Sequence, residues 1–110
     1  MAYRVMLRME VVSGREADFE EAWRAGTEAV TGHPANLGQS LSREDPRTAG
    51  ESSIYVIISD WTDEERFLEF ETSPAHLEHR ATLHPFRKGG AFHVMNVVTS
   101  IEGKAAAGVR

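Results

Sequence analysis

No cysteine occurs among the 110 residues, so a disulfide framework, a thiolate metal site and a thiol nucleophile are all excluded. Positive charge is in deficit: the net charge is −5 with histidine neutral, and the scattered arginines and lysines leave no basic stripe for a nucleic-acid backbone. Long apolar runs are also lacking. No stretch approaches the roughly 20 apolar residues that a bilayer-spanning helix needs, and residues 1–11, MAYRVMLRMEV, alternate arginine with apolar side chains where a secretory leader needs an unbroken apolar run. A cytoplasmic protein with neither a membrane nor a nucleic-acid partner is expected. Two chemical signatures are missing as well. Gly89-Gly90 lacks the spacing of a nucleotide-binding loop, and no serine sits in a nucleophile elbow.

What remains is an ordinary globular composition, 41% apolar and 26% charged, sufficient for one core and too short for two. Residues 3–12 alternate with period two: Tyr3, Val5, Leu7, Met9 and Val11 point one way, and Arg4, Met6, Arg8 and Glu10 the other. Ser13 and Glu16 then match a capping box that opens a first helix. Phe19, Ala22, Trp23, Gly26 and Val30 share one face of that helix, with Trp23 expected in the core, until Gly32-His33-Pro34 ends it. Residues 36–43 form a weaker second strand, and residues 42–52, dense in turn residues and charge, an exposed hairpin loop.

Residues 54–61 are the strongest strand, with Tyr55, Ile57, Ser59 and Trp61 on one face. Thr62 to Glu65 is a second capping box, Phe67, Leu68 and Phe70 follow, and Ser73-Pro74 restarts the helix with proline in its tolerated first position. Residues 91–101 alternate as the last strand, and residues 103–110 read as a flexible tail after a domain of residues 1–102. The order strand, helix, strand, strand, helix, strand implies an α+β, ferredoxin-like split βαβ: a four-stranded antiparallel sheet with helices on one face. Arg4, Met6 and Arg8 would then lie on a bare sheet face too apolar to leave wet, so a homodimer joined through it is expected.

The chemistry-bearing residues gather after the third strand. His76, His79 and His84 lie along the last helix with Arg80 between them. His76 and His79 have metal-compatible spacing but no carboxylate completes a ligand set, so no metal site is expected. A histidine there suits proton transfer, because histidine alone titrates near neutrality unperturbed. Trp61, at a strand end, is either a pocket wall or a core lid by position alone. His33, Asn36 and Asn96 are polar groups on or beside strands, each either a satisfied structural residue or a site residue.

HPANLGQSL after the first helix, the strand YVIISDW, the acidic TDEERFLEF and the restart SPAHLEH together resemble the antibiotic biosynthesis monooxygenase family of dimeric α+β barrels. The resemblance spans residues 3–101. It implies a homodimeric enzyme that oxidises an aromatic polyketide-like substrate with molecular oxygen and no cofactor, neither metal nor flavin. It also implies that the family's strand-end tryptophan is Trp61. In the quinone-forming branch an asparagine stands four residues earlier, and here that place is held by Ile57, so that branch's activity does not carry over residue for residue. On this reading Trp61, His76, His79 and Arg80 are the catalytic candidates, with a helix histidine as base and Arg80 as anion partner. Asn36, Tyr55, Ile57, Phe70, Phe92 and Asn96 are the substrate-binding candidates. The alternatives are a polyketide cyclase of related fold and a non-catalytic binding module.

Overall fold

A computed structural model describes residues 2–107. Strand β1 (Tyr3–Val11) is followed by helices α1 (Glu16–Ala25) and α2 (Thr27–Thr31), strand β2 (Asn36–Arg43), a helical turn α3 (Pro46–Ala49) and strand β3 (Ser53–Trp61). Helices α4 (Glu64–Glu71) and α5 (Pro74–Leu83), a 3-10 turn (His84–Phe86), strand β4 (Arg87–Asn96) and a last helical turn α6 (Lys104–Ala107) complete the order. Residues 108–110, the end of the expected tail, lie outside the described part. The strands pair antiparallel in the order β2-β3-β1-β4, the ferredoxin-like arrangement expected. No helix of the described residues is long and apolar enough to cross a membrane.

Cross-strand partners share a face, so the register places Tyr3, Val5, Leu7 and Met9 beside Trp61, Ser59, Ile57 and Tyr55 under the helices. Two apolar clusters form there. One joins Tyr3, Val5, Val30, Ala35, Trp61, Phe67 and Phe70; the other joins Met9, Val11, Phe19, Tyr55 and Leu83. On the opposite face Ile54 alone of the β1 and β3 side chains is buried.

Four local expectations are corrected. Ser13 does not cap α1: Gly14 turns the chain at φ +87° and Glu16 accepts its N–H, which leaves the Ser13 hydroxyl too far back to reach the first turn, whose N-cap is Arg15. At α4 the cap is Asp63, not Thr62, because an ionised carboxylate one residue later accepts the Arg66 N–H at 2.8 Å more strongly than a hydroxyl can. The single first helix is broken at Gly26 into α1 and α2. The last strand starts at Arg87 rather than 91 and ends at Asn96 rather than 101. Gly89 and Gly90 do not precede the strand but belong to it: a Cβ on Gly90 would lie 2.6 Å from the Arg8 carbonyl oxygen, so only glycine lets β4 close on β1 there.

Candidate functional site

Between the two apolar clusters the helices stand off the sheet and leave a cavity of about 370 Å³, within the range of small-molecule sites. Its floor is Val5, Leu7 and Met9 of β1, Ile57 and Ser59 of β3, Gln39 of β2 and Phe92 of β4. Its roof is Trp23, Val30, Phe67, Phe70 and the inward side of α5. The walls are mostly apolar and aromatic, with a few polar groups set among them.

Helix α5 supplies most of those groups. Ser73 caps it by accepting the His76 N–H at 3.3 Å, and Pro74 needs no partner for the N–H it lacks. The helical repeat then puts His76, His79, Arg80 and Leu83 together on the cavity wall. The His76 ring packs on Phe70 at 4.6 Å between centroids, and its buried Nδ1 has no hydrogen-bond partner among the described residues. Burial, then the Arg80 charge, then His79 hold the His76 pKa below the ordinary value, which keeps the ring neutral. The His79 ring occupies the notch at the α1–α2 break, where a Cβ on Gly26 would collide with its Nδ1. Burial lowers the pKa of His79 as well.

Gln39 reaches the cavity through an irregularity in β2. The register slips between Asn36 and Gly38, so Asn36 opposes Trp61, Gly38 opposes Asp60 and Gln39 opposes Ser59. Gly38, at φ +141°, absorbs the extra residue. This bulge turns Gln39 inward, and its buried Nε2 is likewise without a hydrogen-bond partner. Among the described residues His76 Nδ1 and Gln39 Nε2 are the two buried polar side-chain atoms in that condition, and both residues line the same cavity.

Of the residues expected at a site, the structure brings together His76, His79, Arg80, Ile57, Phe70 and Phe92. Trp61 lies one layer behind them, fully buried, with its indole N–H donated to Ser59 Oγ at 3.0 Å and its ring 4.7 Å from Phe70. It is a core lid whose neighbours, Ser59 and Phe70, form the wall. Tyr55 is sealed in the other cluster, its hydroxyl donating to Glu20 at 2.6 Å; burial first and that carboxylate second push its pKa up to about 12. Asn36 donates to the Asp60 carbonyl at 3.3 Å, and Asn96 is exposed at the end of β4; neither lines the cavity. His84 does not line it either. Residues not anticipated there are Gln39, Trp23, Glu71 and Arg87. Trp23, expected in the core, is half-buried on the roof. Among the described residues no three histidine, aspartate or glutamate side chains are placed to share a metal.

A family profile described as antibiotic biosynthesis monooxygenase matches residues 2–82. No curated protein matches the chain. Among solved structures, SnoaB, a cofactor-independent oxygenase from Streptomyces nogalater, superposes with a TM-score of 0.78 over 93% of this chain and 98% of its own, at 20% identity. Rv0793 from Mycobacterium tuberculosis superposes with a TM-score of 0.75 over 93% of this chain and 100% of its own, at 13% identity. At such identities the likeness is one of fold.

Proposed function

Because the chain belongs to the antibiotic biosynthesis monooxygenase family, we propose that its cavity is the active site of an oxygenase that takes a flat, aromatic polyketide-like substrate and molecular oxygen, without metal, haem or flavin. The observation that carries this reading is the pair of unpartnered polar atoms, His76 Nδ1 and Gln39 Nε2, facing an apolar, aromatic-walled space. An unsatisfied buried polar group costs about 1–3 kcal/mol, a cost that a ligand with its own donor and acceptor removes on binding.

Chemically the two atoms are complementary. Neutral His76 takes a proton from an acidic C–H or O–H of an anthrone-type ring. Gln39 then donates to the oxygen on which negative charge develops, in a dry setting where that hydrogen bond is worth more than in water. The electron-rich anion reduces dioxygen directly. The ring CH2 becomes C=O, one oxygen atom staying in the product and the other leaving as water with the ring's two hydrogens, so no further reductant is required. Trp61 acts from behind, fixing Ser59 and Phe70. Supporting the reading from outside the chain, SnoaB of the same fold is described as a cofactor-independent oxygenase. The test is oxygen uptake by chelator-treated, colourless protein given an anthrone. Uptake with quinone formation is expected, and turnover only after adding haem, iron or flavin would contradict it.

Ile57 favours a second reading. It places an apolar side chain on the cavity wall where the quinone-forming branch has an asparagine, which suits a binding module that keeps the pocket without the chemistry. Ligand binding with no turnover under any condition would select it. A cyclase using His76 for acid–base folding of a polyketide chain would instead turn over without consuming oxygen.

The active form is a homodimer on this proposal. On the sheet face away from the cavity, Arg4 is held by Asp60 at 2.8 and 2.9 Å, Arg8 by Glu44 and Glu10 by Lys88, and between these pairs Met6, Val56, Ile58 and Met95 face outward. A second copy of the sheet covers that apolar strip and meets the surrounding charges with its own. Sedimentation at micromolar concentration should give a dimer; a monomer alone would refute it.

A further inference from the structure

Two arginines on the cavity wall form no ion pair with a carboxylate among the described residues. Every other described arginine forms an ion pair, in a chain where 17 carboxylates outnumber 12 basic residues. Arg80 and Arg87 form none, yet both line the cavity. They stand on α5 and at the start of β4, either side of the 3-10 turn that joins these elements, and so enter the wall from one connection. Glu71, the one carboxylate on the described lining, forms an ion pair with neither. The Arg80 charge is felt inside, since it helps hold His76 neutral. Val5, Leu7, Ile57 and Phe92 of the floor offer a ring system apolar contact.

From this arrangement we infer that the ligand is an aromatic acid: a flat apolar body carrying a permanent carboxylate that Arg80 and Arg87 bind together. The inference rests on the cavity being a ligand site and adds the class of ligand. A carboxylate presents two oxygens in one plane, and guanidinium forks match that geometry, so two arginines beside an apolar slot recognise an acid far better than a neutral analogue. The pair also orients the ring. Anchoring the acid at the α5–β4 connection fixes which ring edge meets His76 and Gln39.

The experiment is a fluorescence titration of the wild-type protein with anthracene-9-carboxylic acid and with its neutral carboxamide, repeated on Arg87→Gln and on Arg80→Gln/Arg87→Gln. The wild type should prefer the acid by about tenfold or more, as charged hydrogen bonds do. That preference should weaken with salt, shrink in Arg87→Gln and vanish in the double variant, while affinity for the carboxamide changes far less than affinity for the acid and an unaltered thermal unfolding transition shows that each variant is folded. Equal binding of acid and carboxamide by the wild type, or a preference that survives in the double variant, overturns the inference but leaves the cavity as a ligand site. Failure of the wild type to bind either compound overturns both.

Discussion

The face of the sheet under the helices is closed at both ends and open in the middle. At one end Trp61 is buried with its N–H donated to Ser59, and at the other Tyr55 is buried with its hydroxyl donated to Glu20. Both large aromatics thus bring a polar handle and find it a partner within the protein. In the middle, only two and four residues along the same strand, Ile57 and Ser59 border open space, and His76 and Gln39 present polar atoms that nothing among the described residues satisfies. The contrast separates structural from functional polarity. Satisfied polar groups close a core, whereas unsatisfied ones beside a cavity await something from outside.

Substitutions in the two regions should therefore fail in different ways. His76→Gln should lower turnover by about 10²–10⁴ with little loss of stability, the usual range for removing a general base; oxygen uptake against thermal unfolding separates the two effects. Trp61→Ala should do the reverse first, costing about 3–5 kcal/mol of stability in a denaturant titration because the ring is fully buried, with activity lost through the collapse of Phe70 and Ser59. Gln39→Leu should lower turnover about tenfold or more while leaving stability unchanged or raising it by about 1 kcal/mol, since it deletes an unpartnered buried donor. Arg80→Gln gives the smallest effect and the most specific.

The sign of that last effect follows from the neutral ring. The folded pKa of His76 lies below the ordinary value of about 6.5, so activity should rise with pH along a limb below that value and be flat above it. For the same reason the stability associated with neutral His76 and His79 is fully present above the ordinary histidine value and is lost as pH falls toward their lowered folded values. Arg80 is one cause of the depression at His76, so Arg80→Gln should move the acid limb to higher pH. A limb that stays in place would take Arg80 out of the field at His76.

The fold was legible because its signals are local and repeated. Period-two strands, helices opened at Ser73-Pro74 and the order of elements lead to the split βαβ. The site was legible in part, for reasons that particular residues make plain. His76, His79 and Arg80 share a helix face by spacing alone. Trp61 stands at a strand end, but whether its ring faces a cavity is decided by Phe67, Phe70 and Ser59, which converge on it only in three dimensions. Gln39 was hidden because strict alternation from Asn36 would turn it outward; the bulge at Gly38 reverses the parity, and a glycine in a weak strand was its only trace. Arg87 was hidden because the apolar alternation starts only after Gly89-Gly90, which cuts the expected strand short of it, whereas the close approach of Gly90 to Arg8 keeps the glycines inside the sheet.

The contrast between closed ends and open middle comes down to one titration followed by side-chain 15N NMR. On adding anthracene-9-carboxylic acid, the His76 imidazole and Gln39 amide resonances should move together and saturate with a single affinity, while the Trp61 indole N–H, already bonded to Ser59, stays nearly fixed. Movement of the Trp61 signal with His76 and Gln39 unchanged would contradict the account and return the binding surface to the tryptophan.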